Sequence, residues 1–267
     1  MFDYHMHTII SFDGKSTPEQ MVRAAVEAGL KEICFTDHID HVDGTIEING
    51  ELKEDLVFDL EEYHAAYDHL HAEGLKIRRG MEYGITPLNR ELFVHDAAQN
   101  DYDFIIGSVH FVNGEDVYLP PYWEGRTQAE VYLEYLQTTY ESVKVHSGFD
   151  VLGHLTYICK CRGNPTKELL RYGDHRELID EILKELVRKG IGMEINTSGV
   201  DRCGGFLPTA DYFRRFKELG GEIVTVGSDA HTFDRVGQYS KEACEVLKDI
   251  FGYVCTFEGR KPIFHKL

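Results

Sequence analysis

Phe2-Asp3-Tyr4-His5-Met6-His7 places two histidines two residues apart in a short run with β-strand character. Successive side chains on a strand alternate between faces, so His5 and His7 point the same way and can address one metal ion. The same spacing recurs in His69-Leu70-His71, but on a helical pattern, where residues two apart diverge by about 200° and cannot chelate. That second copy reads as solvated surface. With 14 histidines in 267 residues, about 0.7 such pairs arise by chance, so the first pair gains its meaning from what the rest of the chain brings to the same place.

Working outward, short β-rich runs alternate with helical patterns, the signature of parallel α/β architecture. Strands are expected at 2–7, 31–36, 76–82, 104–109, 150–154, 191–196 and 222–228. Helices are expected at 18–28, 59–73, 89–99, 128–146, 174–189, 209–219 and 239–250. Thr17-Pro18-Glu19-Gln20 supplies an N-cap, a proline at the first helical position and a capping-box amide, and Gly29 closes that helix. Thr127 and Glu130 repeat the box. Residues 253–257 and 261–264 alternate weakly, as a terminal hairpin would. No linker, composition shift or repeat divides the chain, so 1–267 reads as one barrel-sized domain, a (βα)7 arrangement one unit short of eightfold.

Composition narrows the function. The chain is 42% hydrophobic and carries a net charge of −18, which repels nucleic-acid backbones and anionic lipid, and no Lys/Arg run offers a local exception. Residues 1–5 lack the basic and apolar regions of a signal peptide, and no apolar stretch approaches the ~18 residues of a membrane span, which places the protein in the cytoplasm. Six cysteines without a CxxC pair read as reduced thiols. No phosphate-cradling GxxxxGK[ST] loop, dinucleotide GxGxxG fingerprint or GxSxG nucleophile elbow occurs.

The decisive pattern lies at the strand ends. His38 ends the second predicted strand, Glu82 the third, His110 the fourth and His154 the fifth; Asp229 and His231 follow the seventh. With His5 and His7, six of seven strands deliver a metal-type ligand at the C-terminal end, the face on which barrel enzymes build active sites. One such residue alone is commonly a hydrogen-bonded rim group. Six histidines with carboxylates converging on one mouth require cations, and imidazole with carboxylate suits Zn²⁺, Mn²⁺ or Fe²⁺.

The set His5-x-His7, Asp13, Thr36-Asp37-His38, Glu82, Ser108-Val109-His110, Gly153-His154 and Ser228-Asp229-Ala230-His231 resembles the PHP (polymerase and histidinol phosphatase) family over essentially the whole chain. The resemblance implies a distorted (βα)7 TIM-like barrel with two to three divalent ions. It assigns one ion to His5, His7, Glu82 and Asp229, a second to Glu82, His110 and His154, and a third to Asp13, His38 and His231. Without it, Phe12-Asp13-Gly14 reads equally well as a turn. Within the family, Ile106-Gly107-Ser108-Val109-His110-Phe111 and Glu194-Ile195-Asn196-Thr197-Ser198-Gly199 resemble the histidinol-phosphate phosphatases. This implies hydrolysis of L-histidinol phosphate, a small phosphorylated substrate, in histidine biosynthesis.

The chemistry expected is in-line attack of a metal-bridging hydroxide on a phosphomonoester. Arg162 and Arg202 are the expected phosphate clamps, and Asp229 or His231 the acid for the leaving alkoxide. Asn196, Glu115 and His41, the last in an Asp40-His41-Val42-Asp43 loop, are candidates for the amine and imidazole. Two other readings stand beside this one: a phosphoesterase for another small ester such as a nucleotide or phosphotyrosine, and a noncatalytic metal-binding PHP module. Oligomeric state is not legible.

Overall fold

In the computed structural model, which describes residues 1–48 and 51–267, the chain runs β1 (Phe2–Asp3), α1 (Pro18–Glu27), β2 (Glu32–Ile48), β3 (Glu51–Val57), α2 (Leu60–Tyr67), β4 (Lys76–Gly84) and α3 (Arg90–Ala97). There follow β5 (Phe104–Ser108), β6 (Phe111–Val112), β7 (Glu115–Asp116), α4 (Pro120–Trp123), α5 (Gln128–Val145), β8 (Val151–Leu152) and α6 (Arg176–Lys189). The last third holds β9 (Gly192–Asn196), α7 (Val200–Cys203), α8 (Ala210–Glu218), β10 (Val224–Gly227), α9 (Ser240–Ile250), β11 (Tyr253–Glu258) and β12 (Lys261–Lys266). Both expected capping boxes are formed, Thr17 with Gln20 and Thr127 with Glu130.

Seven strands form a parallel sheet in the order β1-β2-β4-β5-β8-β9-β10. Its two edges meet. Tyr4 N–H donates to Val226 O, Asp229 N–H to His5 O and His7 N–H to Ala230 O, each at 2.8 Å. The result is the distorted, nearly closed seven-stranded barrel anticipated above. The first strand is shorter than the expected 2–7, because Met6 N–H donates to Thr36 Oγ1 at 3.1 Å instead of to a ladder carbonyl.

The interior has two ends. Toward the N-terminal ends of the strands, Tyr4, Cys34, Phe104, Ile106 and Val151 form a buried cluster with Cys255 and Phe257 of β11. The antiparallel hairpin β11–β12 therefore closes that end, and Phe257 N–H donates to Tyr4 Oη at 3.0 Å. Burying these side chains leaves the opposite, C-terminal mouth for polar residues.

Two expectations fail locally. The Asp40–Asp43 loop is instead strand: β2 runs on to pair antiparallel with β3, setting Ile39 against Val57, Asp40 against Leu56 and His41 against Asp55. Burial of Leu56 and a clasp at His41 hold this extension. The helix expected over 59–73 ends at Tyr67, and Gly74, at φ +77°, turns the chain into β4.

Candidate metal centre

All nine expected ligands meet at the C-terminal mouth. His5 Nε2 lies 3.1 Å from His7 Nε2 and 3.2 Å from Glu82 Oε2; His7 Nε2 lies 3.4 Å from Glu82 Oε2 and 3.6 Å from Asp229 Oδ1. On the other side of the same carboxylate, Glu82 Oε1 is 2.8 Å from His154 Nε2 and 3.4 Å from His110 Nε2. Glu82 thus joins two groups of ligands. At the outer edge, Asp13 Oδ2 lies 2.9 Å from His231 Nε2 and 3.7 Å from His38 Nε2.

A hydrogen bond on one ring nitrogen of a ligating histidine fixes the tautomer and aims the other nitrogen at the ion. Four rings here have Nδ1 so engaged. His5 Nδ1 meets Glu194 Oε1 at 2.6 Å, His7 Nδ1 meets Ser11 Oγ at 3.2 Å, His110 Nδ1 meets Asp40 Oδ1 at 2.9 Å and His231 Nδ1 meets Asp229 O at 2.9 Å. His38 Nδ1 lies 3.2 Å from Asp40 Oδ2 without a bonding angle. His5, His7, His110 and His231 leave Nε2 facing the centre, whereas His38 turns Nε2 to Asp13 and its Nδ1 also lies 3.2 Å from Glu82 Oε2.

The donor set fits divalent cations. Among the described residues, seven buried side-chain polar atoms lack a partner, and four of them sit here: Asp13 Oδ1, His38 Nδ1, Glu82 Oε2 and His154 Nδ1. Two imidazole nitrogens at 3.1 Å are also spaced much as neighbouring ligands on one tetrahedral ion, roughly 3.3 Å apart for metal–nitrogen bonds near 2.05 Å. Groups His5-His7-Asp229, His5-Glu82-His154, His7-His38-His231 and His38-Asp40-His110 each bring three ligand atoms within 4.8 Å of one another.

Electrostatics agree. Burial works against the Glu82 charge, yet His5, His110, His38 and His154 hold that carboxylate well below its usual range. Burial would lower His38, but Asp13, Glu82 and Asp40 lift it to about 9, while His7, buried beside His38 and His231, falls well below the ordinary imidazole value. Such opposed shifts on touching rings mark a centre whose charge a cation would balance.

Supporting residues come from positions to which the sequence assigns no part in holding a metal. Asp40 bridges His38 and His110, with its carboxyl held down to about 2 against burial by those two rings. Glu194 binds His5 and accepts from His154 N–H at 2.7 Å. Asp37 accepts from Thr8 N–H and Ser11 Oγ–H, both at 2.8 Å. Lys160 donates to Asp229 Oδ2 and to Ser198 Oγ. Asp229 itself sits at φ +55°, in the left-handed region, a strained conformation at a ligand. Gly227 explains one close approach: a Cβ there would fall 2.1 Å from Glu194 Oε1 and 2.4 Å from His5 Cβ.

The residues expected to meet substrate are placed differently. Arg162 is exposed and, among the described residues, has no hydrogen bond or ion pair; the loop turns Lys160 into the centre instead. Arg202 donates to Tyr118 Oη at 2.8 Å at the exposed rim. Asn196 is fully buried behind the ligands, donating to Glu194 Oε2 at 3.2 Å and accepting from Ser198. Glu115 pairs with Arg126 at 2.6 Å, and His41 is clasped by Asp55 at 2.9 Å and Asp96 at 2.7 Å, so both are committed to the scaffold.

A seven-stranded βα barrel with a histidine and carboxylate centre at its C-terminal mouth defines a metal-dependent hydrolase. The PHP domain family matches residues 3–198, and the chain belongs to that family. It is 31% identical over 273 residues to a protein named "Probable histidinol-phosphatase" from Clostridium acetobutylicum, covering 99% of this chain and 96% of that one. It is 30% identical to the histidinol-phosphatase of Lactococcus lactis subsp. lactis, covering 97% and 95%. The crystal structure of histidinol phosphate phosphatase from Lactococcus lactis subsp. lactis, complexed with zinc, L-histidinol and phosphate, superposes with a TM-score of 0.86 at 28% identity, covering 98% of each chain.

Proposed function

We propose that this protein is a histidinol-phosphatase, hydrolysing L-histidinol phosphate to L-histidinol and phosphate in histidine biosynthesis with two to three divalent ions. The observation that carries the reading is the convergence of six histidines with Glu82 and Asp229 on one mouth, in a fold that matches, end to end, an enzyme crystallised with zinc, L-histidinol and phosphate. The ligand partition is the one given above, with Glu82 shared. The whole of 1–267 acts as one domain, since Asp229, His231 and the closing strand β10 lie beyond residue 198. Among the described residues no helix is long and apolar enough to cross a membrane, and a cytoplasmic location completes the proposal.

The histidines and carboxylates of this centre would hold divalent ions, which when bound would supply Lewis acidity toward phosphoryl oxygens and a water nucleophile competent at neutral pH. The protein's part is to fix geometry. Glu194, Ser11, Asp40 and the Asp229 carbonyl hold the rings, so little reorganisation accompanies the reaction. Asp229 and His231, joined by His231 Nδ1 on the Asp229 carbonyl at 2.9 Å, are the residues we assign to the proton taken by the departing alkoxide. Arg202, half-immobilised by Tyr118, stands at the rim on the substrate's approach.

The test is kcat/KM for phosphate release by metal-reconstituted protein on L-histidinol phosphate, an aryl phosphate and a nucleoside monophosphate. A preference of several orders of magnitude for L-histidinol phosphate is expected. Equal, slow rates would leave a phosphoesterase with another substrate, and no turnover by metal-loaded protein would favour a noncatalytic module.

A further inference from the structure

Asp37 precedes a metal ligand in Thr36-Asp37-His38, and the alternation of β2 sends its side chain to the face opposite His38. It is fully buried there, and among the described residues no lysine, arginine or histidine forms an ion pair with it. A carboxylate so placed depends on hydrogen-bond donors. Three converge on it: Thr8 N–H and Ser11 Oγ–H reach Oδ1, each at 2.8 Å, and Tyr67 Oη–H reaches Oδ2. Thr8 Oγ1–H in turn donates to Tyr67 Oη at 2.6 Å. Tyr67 comes from α2 and is stacked on Phe35, ring centroids 4.6 Å apart, so the donor to Oδ2 is held in place.

The protons around Ser11 can be counted. A hydroxyl has one proton to donate and two lone pairs to accept. Three groups lie within hydrogen-bond distance of Ser11 Oγ: Asp37 Oδ1 at 2.8 Å, His38 N–H at 3.0 Å and His7 Nδ1 at 3.2 Å. The His38 amide can only donate. The Asp37 carboxylate, with donors on both oxygens, only accepts, so it takes the single Ser11 proton. What Ser11 has left for His7 is a lone pair, and His7 Nδ1 must carry the ring proton. Nε2, 3.4 Å from Glu82 Oε2 and 3.6 Å from Asp229 Oδ1, is then the bare nitrogen a metal needs. Glu194 and Asp40 set His5 and His110 by direct contact, whereas at His7 the group in contact is a hydroxyl, which donates as readily as it accepts and fixes nothing until something else claims its proton.

We propose that Asp37 is a positioning residue that sets the tautomer of His7 through Ser11, drawing the hydroxyl proton to itself so that His7 Nε2 is free to bind an ion. The assignment rests on His7 being a ligand and not on the identity of the substrate. Tyr67 serves the same end from α2: its Oη–H fills Oδ2 and leaves Oδ1 to Thr8 and Ser11. The arrangement is the carboxylate support of a metal-bound histidine with a serine inserted between the two.

The test measures Zn²⁺ affinity, by competition with a chelating dye, for wild type, Ser11→Ala, Asp37→Asn, Asp37→Leu and the double variant Ser11→Ala with Asp37→Leu. Ser11→Ala leaves the ring unsupported and should weaken binding about 10-fold; Asp37→Leu frees the Ser11 proton to donate to His7 Nδ1, which drives the ring proton to Nε2, and should weaken it about 100-fold. Asp37→Asn keeps an oxygen for Thr8 and Ser11 and turns its amide N–H₂ to Tyr67 Oη, so it should cost about fivefold or less, the difference between a charged and a neutral hydrogen bond. The double variant decides the matter. With no hydroxyl left to hold the wrong tautomer, it should bind Zn²⁺ more tightly than Asp37→Leu alone, whereas independent structural damage would add. Additive losses would overturn the proposal and leave Asp37 an anchor for the loop that bears Ser11 and Asp13; so would Asp37→Leu binding within about twofold of wild type. If Asp37→Leu shows no thermal transition, NMR of the zinc-loaded proteins carries the comparison: Asp37→Asn should keep a slowly exchanging proton on His7 Nδ1 and Ser11→Ala should lose it, and equal protection in both would overturn the proposal. His7→Ala with wild-type affinity would sink the ligand assignment and the proposal with it; weakened binding in His7→Ala beside an unmoved Asp37→Leu would sink the proposal alone.

Discussion

Asp40→Asn isolates what the supporting carboxylates contribute. Asp40 is buried, with Oδ1 2.9 Å from His110 Nδ1 and Oδ2 3.2 Å from His38 Nδ1, so one carboxylate serves two ligand rings. An amide has a single acceptor oxygen. If that oxygen keeps His110, the uncharged amide N–H₂ replaces a carboxylate oxygen 3.2 Å from His38 Nδ1. The opposite flip presents the amide N–H₂ to His110 Nδ1 and drives its proton to Nε2, the atom facing Glu82. The first weakens the support of His38, and the second costs His110 its ligating tautomer. Burial pushes the carboxyl up, yet His110 and His38 hold it down to about 2, so both rings lean on its charge. Losing the outer partner of a metal-bound histidine costs about 10- to 100-fold in metal affinity. No water can substitute easily, because Gly84 already lies so close that a Cβ there would fall 1.9 Å from Asp40 Oδ1. The assay is activity and metal content against buffered free Zn²⁺ or Mn²⁺. The variant should need about 10- to 100-fold more free metal for half-maximal activity and should regain turnover when that metal is supplied. A metal-activation curve coincident with wild type would refute the tautomer argument.

Gly227→Ala should drive Glu194 and His5 apart, destabilising the fold by about 1–3 kcal/mol as in an overpacked core, read as a lower Tm, with loss of bound metal by mass spectrometry. Metal affinity should rise with pH at least as far as about pH 9: His38, lifted to about 9 in the metal-free centre, and His5 and His110, also raised by their carboxylate neighbours, must lose their protons to ligate, so acid weakens binding. A flat profile in competition titrations across that range would refute ligation by these rings. Chelation should lower Tm by on the order of 10 °C, since an ion at 1,000 times its Kd stabilises the fold by about 4 kcal/mol; an unchanged melting curve would argue that the centre folds without cations. Arg162→Ala should change KM on L-histidinol phosphate by less than about twofold, the behaviour of an exposed, unpartnered side chain.

The ligands were legible because parallel βα topology converts position in sequence into position in space: a histidine or carboxylate at the end of a predicted strand must rise at one mouth. His5, His7, His38, Glu82, His110, His154, Asp229 and His231 needed nothing more; Asp13, on an irregular turn, needed the family resemblance. What escaped notice depends on contacts between elements distant in sequence. Asp40 looks like any loop aspartate until β2 is seen to run on into a hairpin with β3, and His41 beside it looks like a free imidazole until Asp55 and Asp96 close on it from β3 and from the end of α3. Arg162 and Lys160 lie two residues apart in one loop, and which of them faces the barrel is decided by a helical turn at Tyr157–Cys159 and by Asn164 holding Cys159 O, features that leave no periodic trace. The inverse error at Asn196 has the same origin. A polar residue at the end of β9 was bound to point into the mouth, but Gly227 on the neighbouring strand leaves room for Glu194 to reach His5, and Asn196 is drawn to Glu194 instead of to substrate. The ligand set is thus written in strand ends, whereas the second layer that tunes it is written in pairs of residues, and only the fold brings those pairs together.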